Sequence, residues 1–422
     1  MIDRRCPILF FVMLAGCCDG GSRPAQRPTD GVEPRVAALV RQMEREAGPR
    51  SAWNSFHALQ SMGPAALPAL KQLTRSKEAV LRRGAARAFA ALGASAEALM
   101  PQLLGLLGDA DREVRFTTIH ALPRLRGPYG GAVKALRGRL RDGAQKVREA
   151  AVEVLVRLAP KQAADWFRQD LGQRDPGVRA TAIRGLGLLG PPALPVLNQI
   201  TTATHDPDRI VRYEAFDTLV RLGPSAAAAI PALTGRIDDQ RATVRLGAIR
   251  ALGSVATTQA PAAVALGKGL TDSDERVRDA AGAALASMGA AAAPASAALV
   301  KALDDKSHHT RAAAAQALGA IGAMDAIKPL TGRLDDTRFD VVLAAGEALG
   351  HIATAHPAAI AVLRRALSST RPQTREGAVV GVGAMGQQGA WARTRLKKLA
   401  DGDDSVSVRK SATRALAAIG PG

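Results

Sequence analysis

Apolar residues recur along this chain at the spacing of amphipathic helices, and one short pattern returns many times. Residues 244–253, VRLGAIRALG, show it, and its full form is V-R-x-x-A-x-x-A-L-x-x-[LIM]-G. Counted from the Val, positions 0, +4, +7, +8 and +11 fall within about 100° of one helical face. The closing Gly is typical of a helix C-cap. Each copy therefore predicts an amphipathic helix with a single apolar stripe.

The copies follow one another at a nearly constant period. Successive copies are 31 to 34 residues apart when they are counted by the residue in the Arg position. These positions are Arg82, Arg115, Arg148, Arg179, Arg212, Arg245, Arg278, Arg311, Val342, Arg375 and Arg409. A weaker copy at residues 58–63 brings the predicted units to twelve. Such a period is typical of a solenoid, in which a unit buries its apolar face only against its neighbours.

A second apolar segment lies between successive copies, as at residues 66–73, 99–107, 229–237 and 359–367. Each segment has the length of a short helix, and no part of the chain shows a convincing strand pattern. We therefore predict an all-α fold in which every unit is a helix hairpin.

These hairpins resemble HEAT repeats, of the short type found in phycobilisome lyase-like proteins. The resemblance covers residues 51 to 420 and rests on an Asp in the turn, on the Val-Arg that opens the second helix, and on a Pro in the first helix. The prolines are Pro68, Pro101, Pro195, Pro231 and Pro329. The resemblance implies a right-handed α-solenoid of about twelve hairpins, over residues 35–422.

The resemblance also implies a ladder of Asp–Arg hydrogen bonds between adjacent units. We carry this role over where an Asp stands six residues before the Arg. The pairs are Asp109–Arg115, Asp142–Arg148, Asp206–Arg212, Asp239–Arg245, Asp272–Arg278, Asp305–Arg311 and Asp403–Arg409. Arg82, Arg179 and Arg375 lack this Asp and are left outside the expected ladder. The alternative is that the Arg row is a ligand-binding stripe, but the constant spacing to Asp favours the ladder.

In HEAT arrays the second helices line the concave side, so motif positions +2, +5, +6 and +9 are expected to face a partner. Exposed aromatic and Arg side chains are typical anchors of protein interfaces. The partner-binding candidates are Phe116, His120, Glu149, Glu153, Arg184, Tyr213, Phe216, Asp217 and Arg250. The alternative is that the aromatic side chains pack against the neighbouring unit.

The first residues have the pattern of an export signal. Arg4 and Arg5 precede a short apolar stretch at residues 7–16, and Leu-Ala-Gly-Cys follows at residues 14–17. That end resembles the bacterial lipobox, which implies a signal peptide at residues 1–16, lipidation of Cys17 and a tether to residue 34. The alternative is a chance Cys beside a conventional signal. Cys18, rather than an Asp, follows Cys17, which favours the outer membrane, facing the periplasm.

The formal net charge is +19. Such a charge would suggest nucleic acid as a partner in a cytosolic protein. Because the predicted export makes nucleic acid unlikely, anionic lipid, polysaccharide or an acidic protein is the favoured partner of the basic surface. The alternative is a solvated basic surface without a dedicated anionic ligand.

No catalytic set of residues stands out in the sequence. The seven His are scattered, and none precedes a Glu as in the di-iron relatives of HEAT proteins. His308 and His309, beside Asp304 and Asp305, form a weak metal candidate against the alternative of a solvated turn, so we expect no metal or cofactor. The sequence favours a non-catalytic, lipid-anchored scaffold that binds a protein. The alternatives are a binder of anionic lipid or polysaccharide and, less favoured, an oxidoreductase or lyase relative.

Overall fold

The computed structural model describes residues 61–125 and 129–420, together with residue 38. Within these ranges the chain forms 22 α-helices joined by turns and short 3₁₀ segments, and no β-strand occurs among the described residues. The helices pair into hairpins, which confirms the predicted all-α solenoid. The predicted signal peptide and tether, and most of the weak copy at residues 58–63, lie outside the described residues.

The helices alternate between two positions in the hairpin. The first helices are α1 (Leu67–Leu73), α3 (Met100–Leu106), α5 (Gly130–Arg139), α7 (Pro160–Asp170), α9 (Leu197–Thr202), α11 (Ile230–Arg236), α13 (Ala260–Gly269), α15 (Ser296–Ala302), α17 (Ile327–Arg333), α19 (Pro357–Ala366) and α21 (Arg393–Gly402). The second helices are α2 (Ala79–Leu92), α4 (Arg112–Ala121), α6 (Gln145–Leu158), α8 (Pro176–Leu189), α10 (Arg209–Leu222), α12 (Ala242–Val255), α14 (Glu275–Met288), α16 (His308–Ile321), α18 (Phe339–Ala353), α20 (Pro372–Ala384) and α22 (Val406–Ala418).

The second helices form a continuous layer, because each one packs against the second helices before and after it. One hydrophobic core, built mainly of Ala and Leu, runs through the array from Ala66 to Ile419. Because a second helix lies on either side, residues outside the apolar stripe are buried as well. Motif position +5 lies about 110° from the centre of that stripe, yet it is buried in the helices from α2 to α20, as at Ile119 and Ile249.

Several second helices end at a glycine, as the pattern predicts. Gly322 after α16 has φ +73° and ψ +32°, the left-handed conformation that glycine adopts without a steric penalty. The amide of Ala323 then donates to the carbonyl of Leu318 and satisfies one free carbonyl at the helix end. This reversal sends the chain back into the first helix of the next hairpin.

Two segments, Ala79–Leu106 and Glu275–Ala302, are long and apolar enough to cross a membrane. From the sequence, no membrane-spanning segment is expected. Each of the two segments joins the second helix of one hairpin to the first helix of the next. Gly93 and Gly289, with φ of +55° and +57°, interrupt the helical conformation within them. Most of their apolar residues lie in the core of the solenoid or pack against it, so both are explained as parts of the repeat.

Among the described glycines, the least space for a Cβ is found where α18 packs against α20. A Cβ placed on Gly346 would stand 1.9 Å from the carbonyl oxygen of Gly377, and one on Gly350 would stand 2.0 Å from that of Gly381. Real Cβ atoms do not approach backbone this closely, so these positions require glycine. Val342 occupies the Arg position in α18, and the glycine contacts hold the two helices together at that place.

Replacing Gly346 with Ala should therefore destabilise the protein. The added methyl group has to push two backbones apart, which costs on the order of 1–3 kcal/mol for an overpacked site. We expect a clear loss in the free energy of unfolding measured by urea titration with circular dichroism at 222 nm. Gly332→Ala is the matched control, because nothing lies within 4 Å of a Cβ there. It should leave stability unchanged or raise it by about 0.5–1 kcal/mol, and equal losses in both variants would contradict the close-packing explanation.

Candidate functional site

A row of arginines ties each second helix to the turn of its own hairpin. Arg115 donates from Nη1 to the carbonyl oxygens of Asp109 (2.7 Å) and Ala110 (3.0 Å). Every arginine of the row makes the same contact to the carbonyl six residues earlier. These arginines are Arg82, Arg115, Arg148, Arg179, Arg212, Arg245, Arg278, Arg311, Arg375 and Arg409.

The other edge of the guanidinium reaches the following hairpin. Arg115 donates from Nε and Nη2 to the carboxylate of Asp142 at 2.8 and 2.7 Å, across a separation of 27 residues. A planar group with five fixed donors can serve a turn and a carboxylate at once. The side-chain pairs are Arg82–Asp109, Arg115–Asp142, Arg179–Asp206, Arg245–Asp272, Arg278–Asp305, Arg311–Asp336 and Arg375–Asp403.

This arrangement corrects the pairing expected from sequence. The Asp six residues before an Arg offers that Arg only its carbonyl, and its carboxylate belongs to the Arg of the preceding hairpin. Arg82, Arg179 and Arg375, which were left out, are therefore full members of the ladder. The sequence-based selection required an Asp six residues before the Arg. The bonded carboxylate instead belongs to the Asp of the following hairpin, 27 or 28 residues after these arginines.

Three arginines of the expected pairs have no carboxylate from a following hairpin. Arg148 meets the hydroxyl of Thr181 at 3.3 Å instead. Arg212 has only the two turn carbonyls, because Asp239 pairs with the arginines at positions 236 and 241. Arg409 lies in α22, the last helix of the described residues.

A groove of about 1190 Å³ opens on the layer of second helices. All its lining residues come from α6, α8, α10, α12 and α14, and none comes from a first helix. Six of the nine partner-binding candidates line it. They are Glu149, Arg184, Tyr213, Phe216, Asp217 and Arg250.

Tyr213 and Arg250 are the accessible anchors of the groove. The Tyr213 side chain is 64% exposed, although large apolar and aromatic residues elsewhere in the solenoid are mostly buried. Arg250 is exposed and has no hydrogen-bond or ion-pair partner among the described residues. Leu246, half-buried, also lines the groove. An aromatic ring, an apolar surface and a free guanidinium are the features that protein interfaces use as anchors.

The other end of the groove contains an acidic cluster around one arginine. Arg184 lies 3.5 Å from Glu153 and 3.7 Å from Glu214, measured between side-chain nitrogen and oxygen. Glu214 is 5% exposed, and its Oε2 has no hydrogen-bond partner. Burial raises the pKa of Glu214 to about 7; Arg184 opposes the shift, whereas Asp217 and Glu149 add to it. The groove therefore contains a carboxyl group that changes charge near neutral pH.

Four candidates differ from their expected placement. Phe116 and His120, on α4, form an edge-to-face pair with ring centroids 4.5 Å apart and do not line the groove. Phe216 lines the groove but is only 6% exposed, and its ring packs against Gly247 of the next second helix. Position +5 faces the neighbouring helix rather than a partner, so the packing alternative describes Phe216. Glu153 lies outside the lining but contacts Arg184.

The sequence analysis did not identify Glu214, although the alignment of the copies contains a signal for it. Glu214 occupies position +3, which faces the preceding second helix. In the other copies counted from Arg82 to Arg409, this position holds only Gly, Ala, Thr or Ser. A single Glu among small residues marks a buried charge, which requires a partner or a role.

The histidines also lie differently from expectation. His308 and His309 open α16, and they meet the carboxylate of Asp340 from α18. The acids expected beside them are engaged elsewhere, Asp304 with Arg333 and Asp305 with Arg278.

Comparison with known proteins identifies the repeat. The family described as HEAT repeats matches residues 66–155, 133–207, 198–286, 263–350 and 340–417. No curated protein matches the chain.

Solved structures share the architecture at low sequence identity. Kap121p bound to Nup53p is 16% identical, with a TM-score of 0.64 over 92% of this chain and 49% of that one. Kap121p bound to Pho4p is 15% identical, with a TM-score of 0.60 over 93% and 50%. A structure of Kap95p with RanGDP is 13% identical, with a TM-score of 0.57 over 84% and 55%. The chain thus spans about half the length of these proteins, and the likeness shows the fold.

The ladder predicts unequal effects for two similar substitutions. Arg245→Lys removes the two parallel hydrogen bonds from the guanidinium to the carboxylate of Asp272. The Arg245 side chain is only 14% exposed, so water replaces these bonds poorly. We expect it to lower the free energy of unfolding in urea by about 2 kcal/mol. Arg212→Lys is the matched control, since Arg212 has no carboxylate to lose, and it should cost less than half as much. Losses of the same size would show that the turn carbonyls, not the carboxylates, determine the contribution of the row.

The raised pKa of Glu214 predicts a pH-dependent stability. The folded state holds the proton up to about pH 7, whereas the unfolded chain releases it near pH 4.5, so the folded protein loses stability as pH rises between these values. Glu214→Gln removes this penalty. The free energy of unfolding of the Glu214→Gln variant, relative to that of the parent, should rise by up to about 3 kcal/mol between pH 4.5 and 7. Above pH 7 the difference should stay constant. Urea titrations of both proteins across this range test it; a difference independent of pH would refute the shift.

Proposed function

Since the chain belongs to the HEAT-repeat family, we propose that it is a non-catalytic scaffold that binds a partner protein along the groove of its second helices. The observation that carries this proposal is that the exposed Tyr213 and the unpartnered Arg250 both line a groove formed by five successive second helices. HEAT solenoids are generally non-catalytic protein-binding scaffolds, and proteins of similar fold are seen bound to Nup53p and Pho4p.

The charges of the groove favour a protein over an anionic polymer. Its lining contains the acids Glu149, Glu214, Asp217 and Asp279 and the bases Arg184, Arg209, Arg212, Arg250 and Arg276. Both signs are nearly balanced there, although the whole chain carries +19. A polyanion is bound best by a surface of one sign, whereas a folded protein or peptide presents both signs together with apolar side chains.

We further propose that the scaffold acts at the bacterial cell envelope. The order of Arg4, Arg5, the apolar stretch and Cys17 supports a lipid anchor, and Cys18 in place of Asp supports the outer membrane, facing the periplasm. The tether between residue 17 and the solenoid would let the groove reach a partner near the membrane surface. Cys17→Ala should release the protein from the membrane fraction.

Crosslinking in intact envelopes, followed by recovery of the scaffold, tests the binding site. Tyr213→Ala and Arg250→Ala should each reduce recovery of one specific protein by about tenfold or more, because such anchors contribute most of the binding energy. Val264→Ala is the matched control: Val264 is 53% exposed on the first helix α13, outside the groove. It should leave recovery unchanged.

Washes at low and high salt separate the alternatives. A protein that survives high salt and depends on Tyr213 supports the scaffold. Recovery of only lipid or polysaccharide, lost at high salt and indifferent to Tyr213, would overturn it in favour of the basic surface. If the Val264→Ala variant lost the partner to the same extent as Tyr213→Ala and Arg250→Ala, the interface would lie outside the groove.

A further inference from the structure

A cluster of two imidazoles and a carboxylate bridges two adjacent hairpins, away from the groove. His308 and His309 are the first residues of α16, and Asp340 lies at the start of α18. One donor atom from each of the three residues lies within 4.8 Å of the others. No other group of three His, Cys, Asp or Glu converges in this way among the residues that the structure describes. We propose that this cluster binds a divalent metal ion of the Zn²⁺ type and that the bound ion links the two hairpins.

The side chains are already drawn together without a metal. Nδ1 of His308 lies 2.6 Å from Oδ2 of Asp340, and the rings of His308 and His309 have centroids 3.9 Å apart. Adjacent residues on a helix normally point about 100° apart. Here the second ring tilts back over the first, so both imidazoles approach the same carboxylate.

The backbone around the cluster is held by the ladder. Arg311, one turn after His308, donates to both oxygens of Asp336 at 2.9 and 2.8 Å, and Asp336 accepts the amide of Arg338 at 2.9 Å. These bonds set the start of α18 relative to α16. A metal site gains affinity when its ligands are positioned before the ion arrives.

The donor set determines the class of ion. Two imidazole nitrogens with one carboxylate suit Zn²⁺, Co²⁺, Ni²⁺ and Cu²⁺, whereas Ca²⁺ and Mg²⁺ require oxygen ligands. Zinc bonds of about 2.0–2.1 Å put ligand atoms roughly 3.3 Å apart in a tetrahedron. His308 and Asp340, with side chains 25% and 44% exposed, have room to rotate by that amount. Water would complete the coordination.

The position of the cluster explains why an ion there would act between hairpins. Earlier in the array, at the motif positions of His309 and Asp340, Glu113 of α4 and Lys146 of α6 form an ion pair between neighbouring second helices. The His–Asp cluster replaces such a pair with metal-binding groups. Val342, which interrupts the arginine row, lies in α18 two residues after Asp340.

Calorimetric titration with ZnCl₂ at pH 7.5 tests the site, using the full chain purified without a histidine tag. We expect one ion bound with a dissociation constant on the order of micromolar. His308→Ala and Asp340→Asn should each weaken it at least about tenfold. His351→Ala, an exposed imidazole elsewhere on α18, should change nothing. Because Cys6, Cys17 and Cys18 are unchanged in every variant, the difference between variants isolates the cluster.

Two further readouts separate binding from nonspecific association. CoCl₂ should produce a visible absorption band in the parent and the His351→Ala variant that is lost in His308→Ala. Arg338→Gln removes a cation 3.6 Å from Asp340 and should tighten zinc binding about twofold to threefold. The proposal would be overturned if the parent, His308→Ala and Asp340→Asn proteins bound zinc equally strongly. It would also be overturned if the parent showed no saturable binding at zinc concentrations up to about 100 times the expected dissociation constant.

Discussion

The structure depends on the contact between successive second helices, because no hairpin can bury its apolar stripe alone. Each second helix from α4 to α20 packs against its own first helix and against a second helix on either side. Position +5 is therefore buried as well as the apolar stripe, and position +3 is buried or half-buried. A bulky +5 side chain is generally followed by a small +3 residue in the next second helix, as with Phe216 and Gly247. Glu214, which follows Ile183, is the exception. This packing leaves only a narrow row of side chains to form a binding surface, and Tyr213 and Arg250 belong to it.

The arginine row stabilises the same layer by a different force. Each guanidinium holds its own turn through carbonyl oxygens and, at seven places, a carboxylate of the following hairpin. The Arg245 guanidinium lowers the pKa of Asp272 by donating to it. Two arginines that have no such carboxylate, Arg148 and Arg212, lie in α6 and α10, which line the groove. The other three helices that line the groove, α8, α12 and α14, each carry an Arg–Asp pair to the following hairpin.

Glu214 shows how the layer and the groove meet. It takes a position reserved for small residues and therefore places a carboxyl group between two helices, where water is excluded. Its neighbours Arg184, Glu149 and Asp217 all line the groove, so the charge of the groove responds to pH near neutrality. The cost of burying this group is retained, although motif position +3 holds only Gly, Ala, Thr or Ser in the other copies from Arg82 to Arg409.

The sequence by itself determined the period, the hairpin, the all-α fold and the arginine row, because these follow from spacing within one helix or one turn. It also located the groove region, through Tyr213, Asp217 and Arg250. Only the tertiary structure decided which Asp meets which Arg, that Phe216 is buried, that Glu214 lines the groove and that Asp340 joins His308. Those contacts join residues about one period apart, as over the 27 residues from Arg115 to Asp142, and they depend on how adjacent hairpins stack rather than on any local pattern.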